Sequence, residues 1–175
     1  VVKKIAITGP ESTGKSNLAK QLAEHFQTVF VPEFARDYIN NLSRPYNQED
    51  ILHIAENQLI NERRTTLKAN RFLFCDTELI VAKIWSLHKY NDCHPWILEQ
   101  IKNNHYDLFL LCDIDIQWEF DDQREHPHLR QFFFDWYKKE LEYYGFPYRI
   151  VSGEGDQRIQ NAIHLINHFF LDRND

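Results

Sequence analysis

The chain has 175 residues, 43% hydrophobic and 26% charged, which suits one soluble domain with a buried core and is short for two. Its formal charge of -6 argues against the broad basic face that nucleic-acid binding needs, and no 18-residue apolar run is present to span a membrane. Three cysteines, Cys75, Cys93 and Cys112, read as reduced thiols of a cytoplasmic protein rather than as a disulfide framework.

In chain order, residues 4–8 form a β-rich run, and the eight residues after it are Gly9-Pro10-Glu11-Ser12-Thr13-Gly14-Lys15-Ser16. They fit G-x-x-x-x-G-K-[ST] at every constrained position. A helical stripe of Leu18, Ala19, Leu22, Ala23 and Phe26 follows, so the motif sits between strand and helix as a phosphate loop must. Gly9 and Gly14 allow turns in which successive N–H groups point inward at phosphate oxygens, and the helix start adds its own N–H groups and positive dipole end. Glu11, Ser12, Thr13 and Asn17 belong to the same cradle for ATP. Lys15 supplies a mobile charge for the outer phosphates, and the Ser16 hydroxyl an oxygen ligand for Mg²⁺.

Residues 28–31 predict a second strand, stopped by Pro32, and 34–42 a helix with Ala35, Tyr38, Ile39 and Leu42 inward. Glu33, Arg36 and Asp37 then stand just past the carboxyl end of a strand, the edge at which open α/β sheets bind ligands, and are candidates to hold a phosphate acceptor. Asn47 with Asp50 marks the start of a surface helix over 48–68, with Ile51, Ala55 and Leu59 on its apolar face. Residues 71–75 form a strand that delivers Asp76, a carboxylate placed to orient Mg²⁺ beside the phosphate loop. The helix over 78–89 is apolar around most of its circumference; Trp85 is the candidate ring to stack on a flat substrate, with Tyr90 and Trp96 as further aromatics.

A short helix over 96–104 and a strand over 106–112 come next. The charged stretch 117–127 is the candidate lid, with Arg124 to neutralise charge on the transferred phosphoryl group and Arg130 in reserve. A long helix over 129–144 presents Leu129, Phe132, Phe133, Trp136 and Leu141 as its inward stripe and ends at Gly145. The last strand spans 148–151, and the turn 152–156 leads into a helix bearing Ile159, Ala162, Ile163, Ile166 and Phe170. That turn is either a plain connection or a holder of the adenine base, with Arg158 against the ring.

Strands alternating with helices from end to end predict a three-layer phosphate-loop NTPase fold: one domain over 1–175, a five-stranded parallel sheet with helices on both faces, the first strand central, and a short lid. GPESTGKS, PEFARDY (residues 32–38), FCDTE (74–78) and DIDIQWEFDDQR (113–124) together resemble the kinase domain of NadR-type proteins, ribosylnicotinamide kinases among the AAA-like phosphate-loop ATPases. The resemblance runs over nearly the whole chain, and PEFARDY and W-x-x-D-x-x-R (118–124) are its particular parts; Gln117 stands where a proline is expected. It implies transfer of phosphate from ATP to the 5′-hydroxyl of nicotinamide riboside. With the phosphate loop beginning at residue 9, it implies kinase chemistry without adenylyl transfer or transcriptional control. A kinase of nucleosides or other small metabolites shares every one of these features except the pocket, and a regulatory ATP-binding module would lack the acceptor site.

Overall fold

The computed structural model describes residues 1–171. Its elements in order are β1 (Lys3–Thr8), α1 (Lys15–His25), β2 (Val29–Val31), α2 (Phe34–Asn40), α3 (Gln48–Thr66), β3 (Phe72–Asp76), α4 (Leu79–Tyr90), α5 (Pro95–Asn103), β4 (Leu108–Cys112), α6 (Arg130–Tyr144), β5 (Tyr148–Val151) and α7 (Gly155–Leu171). All strand pairs are parallel, in the order β2-β3-β1-β4-β5, so β1 is central as its position before the phosphate loop predicts.

The period of two along each strand divides the apolar side chains between two cores. Ile5, Ile7, Phe72, Phe74, Leu108 and Leu110 face α1 and α7, packing with Leu18, Leu22, Ala162 and Ile166. Ala6, Leu73, Cys75, Phe109 and Leu111 face the other way, onto Ile51, Leu59, Ile80, Ile84, Ile97 and Leu141 from α3, α4, α5 and α6. A sheet buried on both faces reads as continuous apolar runs, which is why β3 and β4 carry no outward polar alternation. The three cysteines are buried and unbridged, and no helix among the described residues is long and apolar enough to cross a membrane.

Helix ends follow the local chemistry. Asn47 and Asp50 form a reciprocal capping box at the start of α3, Pro95 opens α5 in the first turn, and Gly145, at φ 67, closes α6 with the Phe146 N–H returning to the Leu141 carbonyl.

Two inward faces differ from the sequence expectation. On α6 the buried residues are Phe134, Tyr137 and Leu141, with Leu129 at the helix cap and Phe132 exposed and Phe133 and Trp136 only partly covered. The reason is the abundance of aromatics around that helix, which lets several rotations satisfy an apolar stripe. On α2, Ala35 is the buried residue, while Tyr38 turns its hydroxyl to Asp50 at 2.8 Å.

Candidate active site

The sheet order puts the carboxyl ends of β1, β2 and β3 along one cleft, and a cavity of about 640 Å³ opens there. Its floor is the whole loop from Gly9 to Asn17; one wall carries Glu33, Ala35 and Arg36; the far wall carries Tyr46, Val81, Ile84, Trp85, His88, Phe133 and Tyr137; and the roof is residues 119–126 of the lid stretch.

The loop can take this path only with glycine at its first turn. Gly9 has φ 132, and a Cβ there would stand 3.0 Å from the Cys112 carbonyl oxygen at the end of β4. Gly14, at φ 76, sits immediately before α1, and Ser12 is also left-handed at φ 55. The Lys15 ammonium donates to the Gly9 and Pro10 carbonyls at 3.0 and 2.7 Å.

Asp76, at the tip of β3, is buried on the strand beside β1, which leads into the phosphate loop, and its carboxylate accepts from the Thr77 hydroxyl at 3.4 Å. Burial pushes its acid upward, with the Ser16 hydroxyl and the Lys15 charge pulling against it. The Glu33 carboxyl is also raised, by burial first, with Lys15 opposing and Asp76 reinforcing. Two carboxyls within each other's field are therefore set around one lysine at the mouth of the loop. No group of three or more His, Cys, Asp or Glu side chains could enclose a metal among the described residues. Ser16 and Asp76 nonetheless offer two hard oxygen donors at the phosphate end of adjacent strands, a set that fits Mg²⁺ completed by waters and phosphate oxygens.

The stretch 117–127 lies closed over the loop. The Glu119 N–H donates to the Ser12 hydroxyl at 2.8 Å and the Arg124 guanidinium to the same oxygen at 3.3 Å. The N–H groups of Glu125 and His126 donate to the Glu11 carboxylate at 3.2 and 3.3 Å. Across the cleft, Arg36 pairs with Asp121 at 2.6 Å, and the Gln123 amide donates to the Arg36 carbonyl at 3.1 Å. Arg130 is held by the carbonyls of Ser12 and Ile116.

Of the residues singled out from the sequence, Gly9, Glu11, Ser12, Thr13, Gly14, Lys15, Ser16, Asn17, Glu33, Arg36, Trp85 and Arg124 line the cavity, and Asp76 is buried at the tip of β3 beside β1. Asp37 does not join them: it points to solvent from the outer side of α2. Trp96 packs against the core, and Tyr90 donates to the Tyr46 carbonyl, so of the three aromatics only Trp85 lines the cavity. Arg158 is buried, its guanidinium bonded to the Asp115 carboxylate and to the carbonyls of Thr13, Asp113 and Gly153 at 2.8–2.9 Å. It braces the phosphate loop against the last turn, and a side chain so engaged has no face left for an adenine ring.

Of the far wall, the sequence singled out Trp85 but not Tyr46 or His88. Tyr46 comes from a loop, and its hydroxyl gathers the Trp85 indole N–H at 3.0 Å and the Lys89 ammonium while donating to Glu125 of the lid. His88, packed edge-on against His126 and Phe133, is held toward its neutral form by burial and by the His126 charge. The signal for part of this wall was present, since Val81, Ile84, Trp85 and His88 recur at i, i+3, i+4 and i+7 on one face of α4.

Residues 4–158 match the family model described as an AAA domain. The trifunctional NAD biosynthesis/regulator proteins NadR of Salmonella typhimurium (strain LT2) and Escherichia coli (strain K12) are 28% identical over 129 residues, 70% of this chain and 31% of each relative. A NadR crystal structure in complex with NR superposes with a TM-score of 0.82 at 24% identity, over 96% of this chain and 50% of that one. Deoxyadenosine kinase from M. mycoides gives 0.66 at 14% identity, over 94% and 99%. The chain thus spans about half the length of that NadR structure and a smaller share of the curated relatives. It belongs to the AAA domain family, and its fold is that of the NadR-type phosphate-loop kinase domain.

Proposed function

We propose that this protein is an ATP-dependent kinase that transfers the γ-phosphoryl group to the 5′-hydroxyl of nicotinamide riboside. The observation that carries the reading is the half-buried Glu33, which lines the same cleft as the phosphate-loop lysine and lies within its field, the cleft continuing into an aromatic chamber. A nucleotide switch has no use for such a chamber. NadR, with which the chain shares its fold, has been crystallised with NR and with NAD and AMP-PNP, which supports the choice of acceptor.

In this reading the ATP phosphates lie on the N–H groups of residues 9–16, and Lys15 leaves the Gly9 and Pro10 carbonyls for the outer phosphates. Ser16 and Asp76 hold Mg²⁺, which neutralises phosphate charge when bound. Glu33 accepts the hydrogen bond of the acceptor hydroxyl and takes its proton late in transfer; burial makes the carboxylate a stronger base than it is in water. Arg36 flanks it, and Trp85 offers a face to the acceptor's ring. Arg124, held near Ser12 by the lid, meets the charge that spreads over the phosphoryl oxygens.

The test is ADP release by purified protein with MgATP, alone and with nicotinamide riboside, common nucleosides and simple sugars, with products identified by mass. Acceptor-dependent ADP release with formation of nicotinamide mononucleotide is expected. Release indifferent to every acceptor would overturn the kinase reading, and faster transfer to another nucleoside would overturn the choice of acceptor.

A further inference from the structure

Tyr137, on α6, is a buried residue only 5% exposed, and it lines the cleft. Its hydroxyl has no hydrogen-bond partner among the described residues. It is not sealed in the core either, because the one enclosed side-chain polar atom without a partner there is Nε of Arg158. The oxygen therefore opens into the cavity. The contrast with Tyr106, the other buried tyrosine, is direct: that hydroxyl is spent on Glu62 and on the Asn104 amide. A nearly buried phenol whose hydroxyl meets no protein partner and opens into a binding cleft points to a ligand that supplies the bond.

Tyr137 lines the same cleft as Glu33, Trp85 and Phe133, the last one turn earlier on the same helix, and the Glu11 and Glu33 carboxyls of the phosphate end lie within electrostatic reach of its hydroxyl. In an acceptor whose hydroxyl meets Glu33 and whose ring meets Trp85, the atoms between those two contacts belong to the sugar. We infer that Tyr137 is a specificity-determining residue whose hydroxyl hydrogen-bonds a secondary sugar hydroxyl of the acceptor, so that the site selects ribosides over their deoxy forms. This rests on the acceptor-site reading of Glu33 and Trp85, though not on the identity of the base.

The test is Tyr137→Phe, which removes one oxygen and keeps the ring. Because that oxygen bonds nothing in the protein, the thermal midpoint should be unchanged or slightly raised. The kcat/KM for the riboside should fall about 3- to 10-fold, the worth of one neutral hydrogen bond, with KM for ATP unchanged. In the wild type the 2′-deoxy or the 3′-deoxy riboside should show the same loss, and in Tyr137→Phe that further loss should vanish. An unchanged kcat/KM, or a deoxy penalty equally large in the variant, overturns the inference. Transfer to another riboside but not to nicotinamide riboside would overturn only the choice of base, the Tyr137 test being read on that riboside. If calorimetry and turnover detect no riboside at all, both readings fall.

Discussion

Lys15 shows how a side chain can be placed for a ligand rather than for the fold. Its two bonds are to carbonyls of its own loop, and it supports neither core cluster. Lys15→Ala should therefore keep its thermal midpoint within a few degrees while losing about 10²- to 10³-fold in turnover, as expected when a charge-stabilising contact is removed. Turnover at the wild-type level would take the phosphate from this loop. The two carboxyls separate differently. Asp76→Asn should weaken the dependence on Mg²⁺ and lower all ATP turnover, because its carboxylate stands at the strand tip beside the phosphate loop, in the field of Lys15. Glu33→Gln should bind nucleotide normally, as measured by calorimetry, and fail in transfer. If Glu33→Gln transfers at the normal rate, the acceptor hydroxyl meets another group.

At the scale of an element, α3 carries two acids in opposite circumstances. Asp50, in the first turn, accepts from Arg44 at 2.6 and 2.9 Å, from the Tyr38 hydroxyl and from the Asn47 N–H, and the Arg44 bond leads in holding its pKa far below the usual 3.8. Glu62, near the other end, lies against the negative pole of the helix, bonded to the Tyr106 hydroxyl and close to Lys4; burial dominates and raises its pKa above 4.5. The signs follow from proton linkage. The folded state holds the Asp50 proton more weakly than the unfolded chain, so this contribution is present above pH 3.8 and is lost on acidification. The folded state holds the Glu62 proton more tightly, so this contribution is complete below pH 4.5 and is lost as pH rises through the folded value. The midpoint difference between wild type and Asp50→Asn should thus shrink toward low pH, and that between wild type and Glu62→Gln should shrink toward high pH. Thermal melts of the three proteins across pH 3 to 8 check both slopes; parallel slopes would mean that one of these networks does not form.

Across the whole molecule, what could be read in advance was what local chemistry decides. The strands announce themselves by apolar runs that fill two cores, the phosphate loop by a glycine turn with no room for a Cβ, and Asp76 by its place at a strand tip. What escaped depends on distant partners. Whether Arg158 meets adenine or braces the loop is decided by oxygens at positions 13, 113, 115 and 153, brought together only by the sheet. The inward face of α6 escaped because Phe132, Phe133, Phe134, Trp136 and Tyr137 offer an apolar side in almost any rotation. The lid was visible as a charged stretch, but its two-sided grip was not, since that pairs residues more than 80 positions apart.

That grip joins the two halves of the site. The lid holds the phosphate loop through Ser12 and Glu11, and α2 through Asp121 on Arg36 and Gln123 on Asn40 and the Arg36 carbonyl. A roof tied to both walls closes fully only when both are in position, and a closed roof keeps water from the phosphoryl group. Asp121→Ala removes the ion pair with Arg36 and leaves the Gln123 bonds and the phosphate-loop contacts in place. Arg36 is left half-exposed without its carboxylate, in a cleft where Glu33 is the next acid in its field. We expect KM for the acceptor to rise by about an order of magnitude, the scale of a hydrogen bond to a charged group, with nucleotide affinity preserved because the Ser12 and Glu11 contacts remain. ADP release without acceptor should rise relative to coupled transfer, since the roof then admits water. Paired measurements of ADP and phosphorylated product decide it: one-to-one coupling in Asp121→Ala with an unaltered acceptor KM would show that the Arg36–Asp121 pair does not couple the lid to the acceptor.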